Sequence, residues 1–326
     1  MADQKILITG GCGFFGTWLI RRLLDDGDRP VVMDLAKNTK RWEMVLSAAE
    51  AAAVPFRAGR IDDTEAFIAL VLAERPDAII HLAGLQVPTC RSDPLAGAKV
   101  NVIGTLNVFE AAKALKAAGH APPRIVYASS AAVFGPDAEY AETQVGDASS
   151  PRPTTHYGAY KLCNEHTAKA YWIANQIASV GLRPLTVYGP GRDVGMTSFP
   201  SRSIAAAIKG QAFDIPFSGP TAYIHMREVA DMFVSCARRM AADGAVYTVG
   251  GDVIDTPGFI RALERVVPGA ARLVTCSGGN LPIASKLDDA QLRHDYPGLL
   301  RIPLEQGIAE TAAIFRALHA AGRLEI

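Results

Sequence analysis

The first 190 residues alternate short, continuous apolar runs with longer segments in which apolar residues recur at helical spacing. The apolar runs lie at residues 5–9, 29–34, 78–82, 124–129 and 181–187. Continuous runs of this length indicate strands buried on both faces. The segments between them predict covering helices at 15–26, 44–53, 64–74, 97–118 and 157–178. We therefore predict an α/β fold, a Rossmann-type doubly wound parallel sheet.

Beyond residue 190 the pattern loosens into shorter elements. A helix near 201–209 precedes short strands at 211–217, 223–225 and 245–249 and helices at 256–267 and 303–320. We expect a Rossmann domain over residues 1–188, to which elements near 223–250 return. A smaller C-terminal lobe should be built mainly from residues 189–326.

Composition removes several classes of function. Lys+Arg and Asp+Glu both number 33 in the 326 residues, so no field of one sign is available to bind nucleic acid or an anionic membrane. No run of 18 apolar residues exists, and the opening MADQKILITGG predicts a strand, not a signal peptide. The five cysteines form no CxxC pair, and no cluster has metal-ligand spacing. We expect a cytoplasmic protein with reduced thiols, a small-molecule substrate, no bound metal, and no nucleic-acid or membrane partner.

A glycine-rich turn between the first strand and the first helix predicts a dinucleotide site. Gly10, Gly13 and Gly16 are spaced three apart, and the turn also contains Phe14 and Phe15. Such a turn lets the backbone approach a pyrophosphate at the helix N-terminus. Asp34 ends the next strand, 18 residues after Gly16, where a carboxylate can accept hydrogen bonds from a ribose diol and repel a 2′-phosphate. The predicted cofactor is NAD.

A tyrosine, a lysine and a serine predict proton transfer. Tyr157 and Lys161 lie at i and i+4, on one face of the predicted helix at 157–178. Tyrosine is a poor base at neutral pH, but a nearby ammonium and a positively charged nicotinamide favour its phenolate. That phenolate can take a proton from an alcohol while a hydride leaves the carbinol carbon. Ser130 follows the strand at 124–129, at the sheet edge where ligands bind, so its hydroxyl can hold the substrate oxygen against Tyr157.

These motifs, taken in order, resemble the extended short-chain dehydrogenase/reductase family, and most closely its NAD-dependent epimerase/dehydratase branch. The resemblance also includes the His-Leu-Ala-Gly segment at 81–84, the segment at 101–105, and the later segments at 187–191 and 223–225. It therefore covers nearly the whole chain. Any one motif is modest, but their common order is highly specific.

The resemblance implies an NAD-binding Rossmann domain, a substrate-binding C-terminal lobe, and Ser130, Tyr157 and Lys161 as a catalytic triad. Further expected cofactor contacts are Asp62, Leu82, Ala83, Gly84 and Asn101. Asp62 is included because Arg60 occupies the position where the family carries an aspartate facing the adenine. The resemblance also implies a homodimer through the helices at 97–118 and 157–178. The residues Leu106, Phe109, Ala112 and Ala168 fit either that interface or the core of the protomer.

Departures from the family pattern bear on the reaction. Ala131 and Ala132 replace the Asp-Glu pair of the dehydratases, so a dehydratase is disfavoured. Thr186 replaces an asparagine that contacts the diphosphate in UDP-sugar epimerases, and Thr221 replaces an arginine that contacts phosphate. A diphosphate buried without charged partners binds poorly. The substrate is thus expected to be small and not nucleotide-activated, with expected contacts to Gln86, Ser130, Ala131, Thr186, Arg192, Met196 and Arg202.

The leading hypothesis is an NAD-dependent dehydrogenase that oxidises a secondary alcohol or lactol of a small sugar, sugar acid or related polyhydroxy compound. If the substrate is an acid, Arg192 or Arg202 is expected to bind its carboxylate. The alternative is a sugar or nucleotide-sugar epimerase that uses the same three residues through a transient ketone. A third hypothesis, a non-catalytic NAD sensor, would be expected to lack the tyrosine or the lysine, and both are present.

Overall fold

The computed structural model describes residues 3–239 and 244–325. Within these residues there are twelve strands, β1 (Lys5–Thr9), β2 (Arg29–Asp34), β3 (Phe56–Ala58), β4 (Ala78–His81), β5 (Arg124–Ala128), β6 (Ser179–Arg183), β7 (Thr186–Tyr188), β8 (Phe213–Ile215), β9 (Pro220–His225), β10 (Ala245–Thr248), β11 (Asp252–Asp255) and β12 (Val274–Cys276).

The same residues contain twelve α-helices, α1 (Phe14–Asp25), α2 (Ala48–Ala53), α3 (Thr64–Glu74), α4 (Val87–Ser92), α5 (Pro94–Ala98), α6 (Gly104–Ala117), α7 (His156–Asn175), α8 (Phe199–Ile208), α9 (Met226–Arg238), α10 (Thr256–Val266), α11 (Ala290–Asp295) and α12 (Leu304–Ala320). None of the described helices is long and apolar enough to cross a lipid bilayer.

The main sheet has seven parallel strands in the order β3–β2–β1–β4–β5–β6–β10. Its central strand shows why apolar runs mark such sheets. Ile6 and Ile8 pack with the side chains of α1 and α9, while Leu7 between them packs with those of α3 and α6, and all three are fully buried. Helices therefore cover both faces, which confirms the predicted Rossmann-type doubly wound fold.

Two predicted elements are interrupted in the structure. The predicted strand at 181–187 divides at Pro184 into β6 and β7, since proline has no N–H for a strand ladder. The predicted helix at 97–118 becomes α5, one π-helical turn at Lys99–Ile103, and α6. Such π-turns are rare and often lie at functional sites.

The C-terminal lobe is built around a second, three-stranded sheet. In this sheet β9 pairs with β7 in parallel and with β11 in antiparallel orientation, and β8 and β12 form a separate parallel pair. Residues of α8, α10 and α12 form its core, including Phe199, Phe259 and Phe315. Of the elements near 223–250, β10 joins the main sheet, and residues 240–243 lie outside the described part. The assignment of NAD binding to residues 1–188 and substrate binding to 189–326 stays a prediction.

Candidate active site

A cavity of about 410 Å³ opens where β1, β2, β4 and β5 end, at the carboxyl edge of the main sheet. Ligands of doubly wound sheets bind at this edge. The predicted site residues that line it are Gly10, Gly13, Phe14, Phe15, Asp34, Asp62, Leu82, Ala83, Gly84, Gln86, Ser130, Tyr157, Lys161, Arg192 and Met196. Residues far apart in the chain are therefore brought to one cavity.

One end of the cavity has the features of a dinucleotide site. Gly10 has a φ of +70°, and a Cβ there would lie 2.8 Å from the backbone nitrogen of Ala83, so only glycine fits the turn. Asp34 accepts hydrogen bonds from the backbone N–H of Cys12 at 3.0 Å and of Leu35 at 2.8 Å, one on each carboxylate oxygen. Each oxygen keeps a lone pair for a ribose hydroxyl. Phe14 begins α1, whose N-terminal amides face the turn.

The adenine side of this end contains an ion pair that the sequence did not predict. Arg60 lines the cavity and donates to Asp62 at 2.8 Å. That hydrogen bond holds the pKa of Asp62 below its usual range. Asp62 therefore lines the cavity as an ionised carboxylate.

Two predicted cofactor residues do not line the cavity but shape its wall. Gly16 packs on the turn, where a Cβ would lie 2.4 Å from Cα of Gly11. Asn101, in the π-helical turn, accepts from the N–H of Leu85 at 3.0 Å and donates to its carbonyl at 3.1 Å. Gly16 and Asn101 therefore lie behind the cavity wall, packed against the chain itself, and their contacts with the cofactor stay a prediction.

The other end of the cavity brings the proton-transfer residues together. Ser130, Tyr157 and Lys161 all line this end. Lys161 donates from Nζ to the carbonyl of Ala128 at 2.6 Å, and Nζ lies 5.5 Å from the centre of the Tyr157 ring. Burial lowers the pKa of Lys161 to about 8. Burial also raises the pKa of Tyr157, and the nearby Ser130 hydroxyl and the charge of Arg192 oppose that rise.

Ser130 and Tyr157 line the same end of the cavity because α7 lies close to the turn after β5. The Ser130 hydroxyl accepts a hydrogen bond from the N–H of Ala132 at 3.1 Å. The Thr155 hydroxyl accepts one from the N–H of Gly158 at 3.0 Å and so caps the N-terminus of α7. A Cβ on Gly158 would lie 2.1 Å from the Ala132 carbonyl oxygen. Glycine next to Tyr157 therefore lets the helix approach the Ser130 turn.

A buried polar network lies beneath this end, and the sequence analysis did not identify it. Glu165 accepts from Arg183 at Nε and Nη2, both at 2.7 Å, and from the Ser129 hydroxyl at 2.5 Å. Glu165 follows Lys161 by one helical turn, and Ser129 precedes Ser130. The i, i+4 spacing of Lys161 and Glu165 could have indicated that Glu165 lies on the same face of the helix as the reacting residues.

The substrate end differs from expectation at three positions. Arg202 is exposed and lies over the Phe213 ring, outside the cavity. Thr186 is buried and hydrogen-bonds the Thr221 hydroxyl at 2.7 Å. Ala131 is fully buried in an apolar cluster. The substrate contacts expected of Arg202, Thr186 and Ala131 are thus not supported, whereas Arg192, Gln86 and Met196 do line the cavity.

The fold and the cavity define a dinucleotide-binding Rossmann protein with a tyrosine–lysine pair in the cavity wall. The NAD dependent epimerase/dehydratase family matches residues 6–250, and the chain belongs to this family. It is 29% identical to a UDP-glucose 4-epimerase of Mycolicibacterium smegmatis over 96% of this chain and 99% of the relative. The cofactor is NAD, for which the glycine turn and Asp34 provide a fitting site.

Solved structures show the same fold. The UDP-glucose 4-epimerase of Thermus thermophilus, in complex with NAD, superposes with a TM-score of 0.80 at 23% identity, over 96% of this chain and 99% of that one. A monomeric L-threonine 3-dehydrogenase from a metagenome superposes with a TM-score of 0.81 at 17% identity, over 96% and 99% of the two chains. This fold is thus shared by a protein named as an epimerase and by one named as a dehydrogenase.

Proposed function

We propose that this protein is an NAD-dependent epimerase that inverts a hydroxyl-bearing carbon of a sugar substrate. The observation that carries the proposal is that Ser130, Tyr157 and Lys161 line the same cavity as the glycine turn and Asp34. The full-length similarity to a UDP-glucose 4-epimerase supports epimerisation over the net oxidation expected first. Gly10, Gly13 and Asp34 would hold NAD, which when bound supplies reversible hydride transfer at the substrate carbon.

The roles of the chain's own residues follow from their surroundings. Ser130 would hold the substrate oxygen by a hydrogen bond, and Tyr157 would take the hydroxyl proton and later return it. Lys161 would support the phenolate by its charge and, as in the family, bind the nicotinamide ribose. Because burial alone raises the pKa of Tyr157, its function as a base depends on nearby cations and on Ser130.

Net dehydrogenation is the second candidate, and one observation favours it. Thr186 and Thr221 occupy the positions where UDP-sugar epimerases are expected to carry diphosphate contacts, and here they hydrogen-bond each other at 2.7 Å. Both hydroxyls lie inside the protein, outside the cavity. A substrate that needs a diphosphate contact there would not find one.

The two candidates are separated by following products. The purified protein is incubated with NAD and a panel of sugars, sugar acids and UDP-sugars, while NADH absorbance and the NMR spectrum of the substrate are recorded. An epimer without accumulating NADH supports the proposal, and steady NADH release supports the dehydrogenase. Tyr157→Phe should lower either rate by about 10²- to 10⁴-fold, and unchanged turnover in this variant would refute the role of Tyr157.

The proposal includes a homodimer in a reducing, cytoplasmic environment. Phe109, Ala112 and Ala168 are fully buried in the protomer, so they belong to its core and not to an interface. Exposed apolar side chains nearby are Leu95, at 77%, and Ile173 of α7, at 68%. The five cysteines are unpaired, in keeping with that environment. Sedimentation of the purified protein tests the dimer.

A further inference from the structure

Arg192 is a charged side chain in the cavity that lacks an anionic partner. Its Nη2 donates to the Thr197 hydroxyl at 3.2 Å, and its buried Nε has no hydrogen-bond partner among the described residues. Within residues 3–239 and 244–325, no carboxylate lies within salt-bridge distance of its guanidinium. The adjacent Asp193 instead accepts two hydrogen bonds from Arg41, both at 2.8 Å. The guanidinium is therefore available to a ligand.

A guanidinium in this setting is suited to binding an anion. Arginine keeps its charge even where burial lowers its pKa, as it does here. A charge removed from water without a partner is costly, and that cost is recovered when an anion binds. The planar guanidinium donates two parallel hydrogen bonds to a carboxylate. Nε itself is buried, so an anion would reach the guanidinium at its Nη groups.

The surroundings place this anion close to the reacting hydroxyl. The charge of Arg192 acts on Tyr157, and its guanidinium lies 5.8 Å from the centre of the Phe14 ring. Gly195, with a φ of +101°, brings the loop against the opposite wall. A Cβ there would lie 2.3 Å from Gln86 Oε1 and 3.2 Å from Arg192 Nη2. Arg192 and Gln86 therefore form one polar corner of the cavity that Tyr157 also lines.

The cations that line the cavity differ in their surroundings. In the part of the chain that the structure describes, three cations line it, namely Arg60, Lys161 and Arg192. Arg60 is paired with Asp62 at the adenine side, and Lys161 lies beneath Tyr157. Of these three, Arg192 is thus the cation left for the substrate, and Thr186 and Thr221 add no charge.

We propose that Arg192, with Gln86 and Thr197, binds a carboxylate close to the hydroxyl-bearing carbon, so that the substrate is a small polyhydroxy acid that is not joined to a nucleotide. The inference rests on the proposed NAD-dependent chemistry at Tyr157 and names its substrate class. It also decides between the two arginines that the sequence suggested, because Arg202 lies outside the cavity.

Binding to the NAD-loaded protein tests this inference without requiring turnover. Calorimetry compares aldonates from glycerate to gluconate with the matching alditols, in which an alcohol replaces the carboxylate. At least one aldonate should bind roughly 10- to 100-fold more tightly than its alditol. Arg192→Met should abolish this difference, Arg192→Lys should retain part of it, and the exposed control Arg202→Met should leave it unchanged.

Other outcomes separate the inference from the proposed function. If aldonates and alditols bind alike, or no aldonate binds, the inference is overturned. If UDP-sugars are epimerised and lose affinity in Arg192→Met, Arg192 binds a diphosphate: the inference fails while the epimerase function stands. If an aldonate binds through Arg192 but yields neither an epimer nor NADH, the substrate class holds and the proposed reaction fails.

Discussion

The ion pair beneath the candidate active site allows a sharp test of what a buried charge contributes. Arg183 and Glu165 are only 6% and 5% exposed and are joined by two hydrogen bonds of 2.7 Å. Removing one partner leaves the other charge buried and unpaired, which costs about 3–5 kcal/mol. We therefore expect Arg183→Met to lower the free energy of unfolding by about that amount. Methionine retains contact with the Phe134 ring, over which the guanidinium lies at 5.0 Å.

A variant that lacks both partners tests whether the loss of stability comes from the unpaired charge. When Glu165→Leu is added to Arg183→Met, no charge is left unpaired, and the main remaining loss is the Ser129 hydrogen bond, worth about 1 kcal/mol. The double variant should thus be more stable than either single variant, with a coupling energy of several kcal/mol. Urea unfolding followed by circular dichroism measures this. Arg265→Met, which breaks an exposed pair with Glu305, is the matched control and should cost about 1 kcal/mol or less.

The same variants test whether the pair positions the reacting residues. Glu165 lies on α7 one turn after Lys161, and Ser129 precedes Ser130 in the chain. We expect the double variant to keep its affinity for NAD but to lose about 10- to 100-fold in kcat, because small displacements of reacting groups are costly. Additive losses of stability in the double variant would refute the argument from the unpaired charge. Full activity in a stable double variant would refute the positioning role.

Two further predictions concern the cofactor and a buried acid. Asp34→Ser removes the carboxylate that would repel a 2′-phosphate, so the preference for NAD over NADP in kcat/KM should fall by about 10- to 100-fold, and an unchanged ratio would contradict the role of Asp34. Burial raises the pKa of Glu228 from 4.5 to about 7, so its ionised form destabilises the folded protein fully above pH 7 and not at all below pH 4.5. Glu228→Gln should therefore stabilise the protein more at pH 8 than at pH 5, by up to about 3 kcal/mol in urea unfolding, and equal effects at both pH values would contradict this.

The sequence predicted well those strands and site residues that follow from local pattern or from the rule that ligands bind at the carboxyl ends of parallel strands. The strands at 5–9 and 29–34 match β1 and β2 residue for residue, because a buried strand needs a continuous apolar run. Ser130 and Asp34 were identified because the carboxyl ends of parallel strands meet at one edge. Tyr157 and Lys161 followed from their i, i+4 spacing taken together with Ser130 and the order of the motifs along the chain. All four residues line the cavity.

Some of the missed features depend on contacts between distant segments. Asn101 was expected to contact the cofactor, and the structure adds a hydrogen bond between its amide and the backbone of Leu85, which lies 16 residues earlier. Helix α9 and the short strands β3, β11 and β12 were not predicted. The strands have only three or four residues, too few to show a period, whereas α9 is amphipathic and its helical period was a usable signal. The Thr186–Thr221 hydrogen bond joins two strands whose pairing no local pattern reveals.

The distribution of these features suggests that the reaction and the choice of substrate are determined by different parts of the chain. The residues proposed for hydride and proton transfer lie on the main sheet and on α7, where covered strands and the Glu165–Arg183 pair restrict movement. Arg192 and Met196 lie on the loop between β7 and α8, where a residue can change without disturbing the sheet. A chain can therefore keep the family's reacting groups while its substrate loses the nucleotide. A guanidinium in the cavity without a carboxylate partner among the described residues, and two buried threonines that hydrogen-bond each other, are what such a change would leave in the structure.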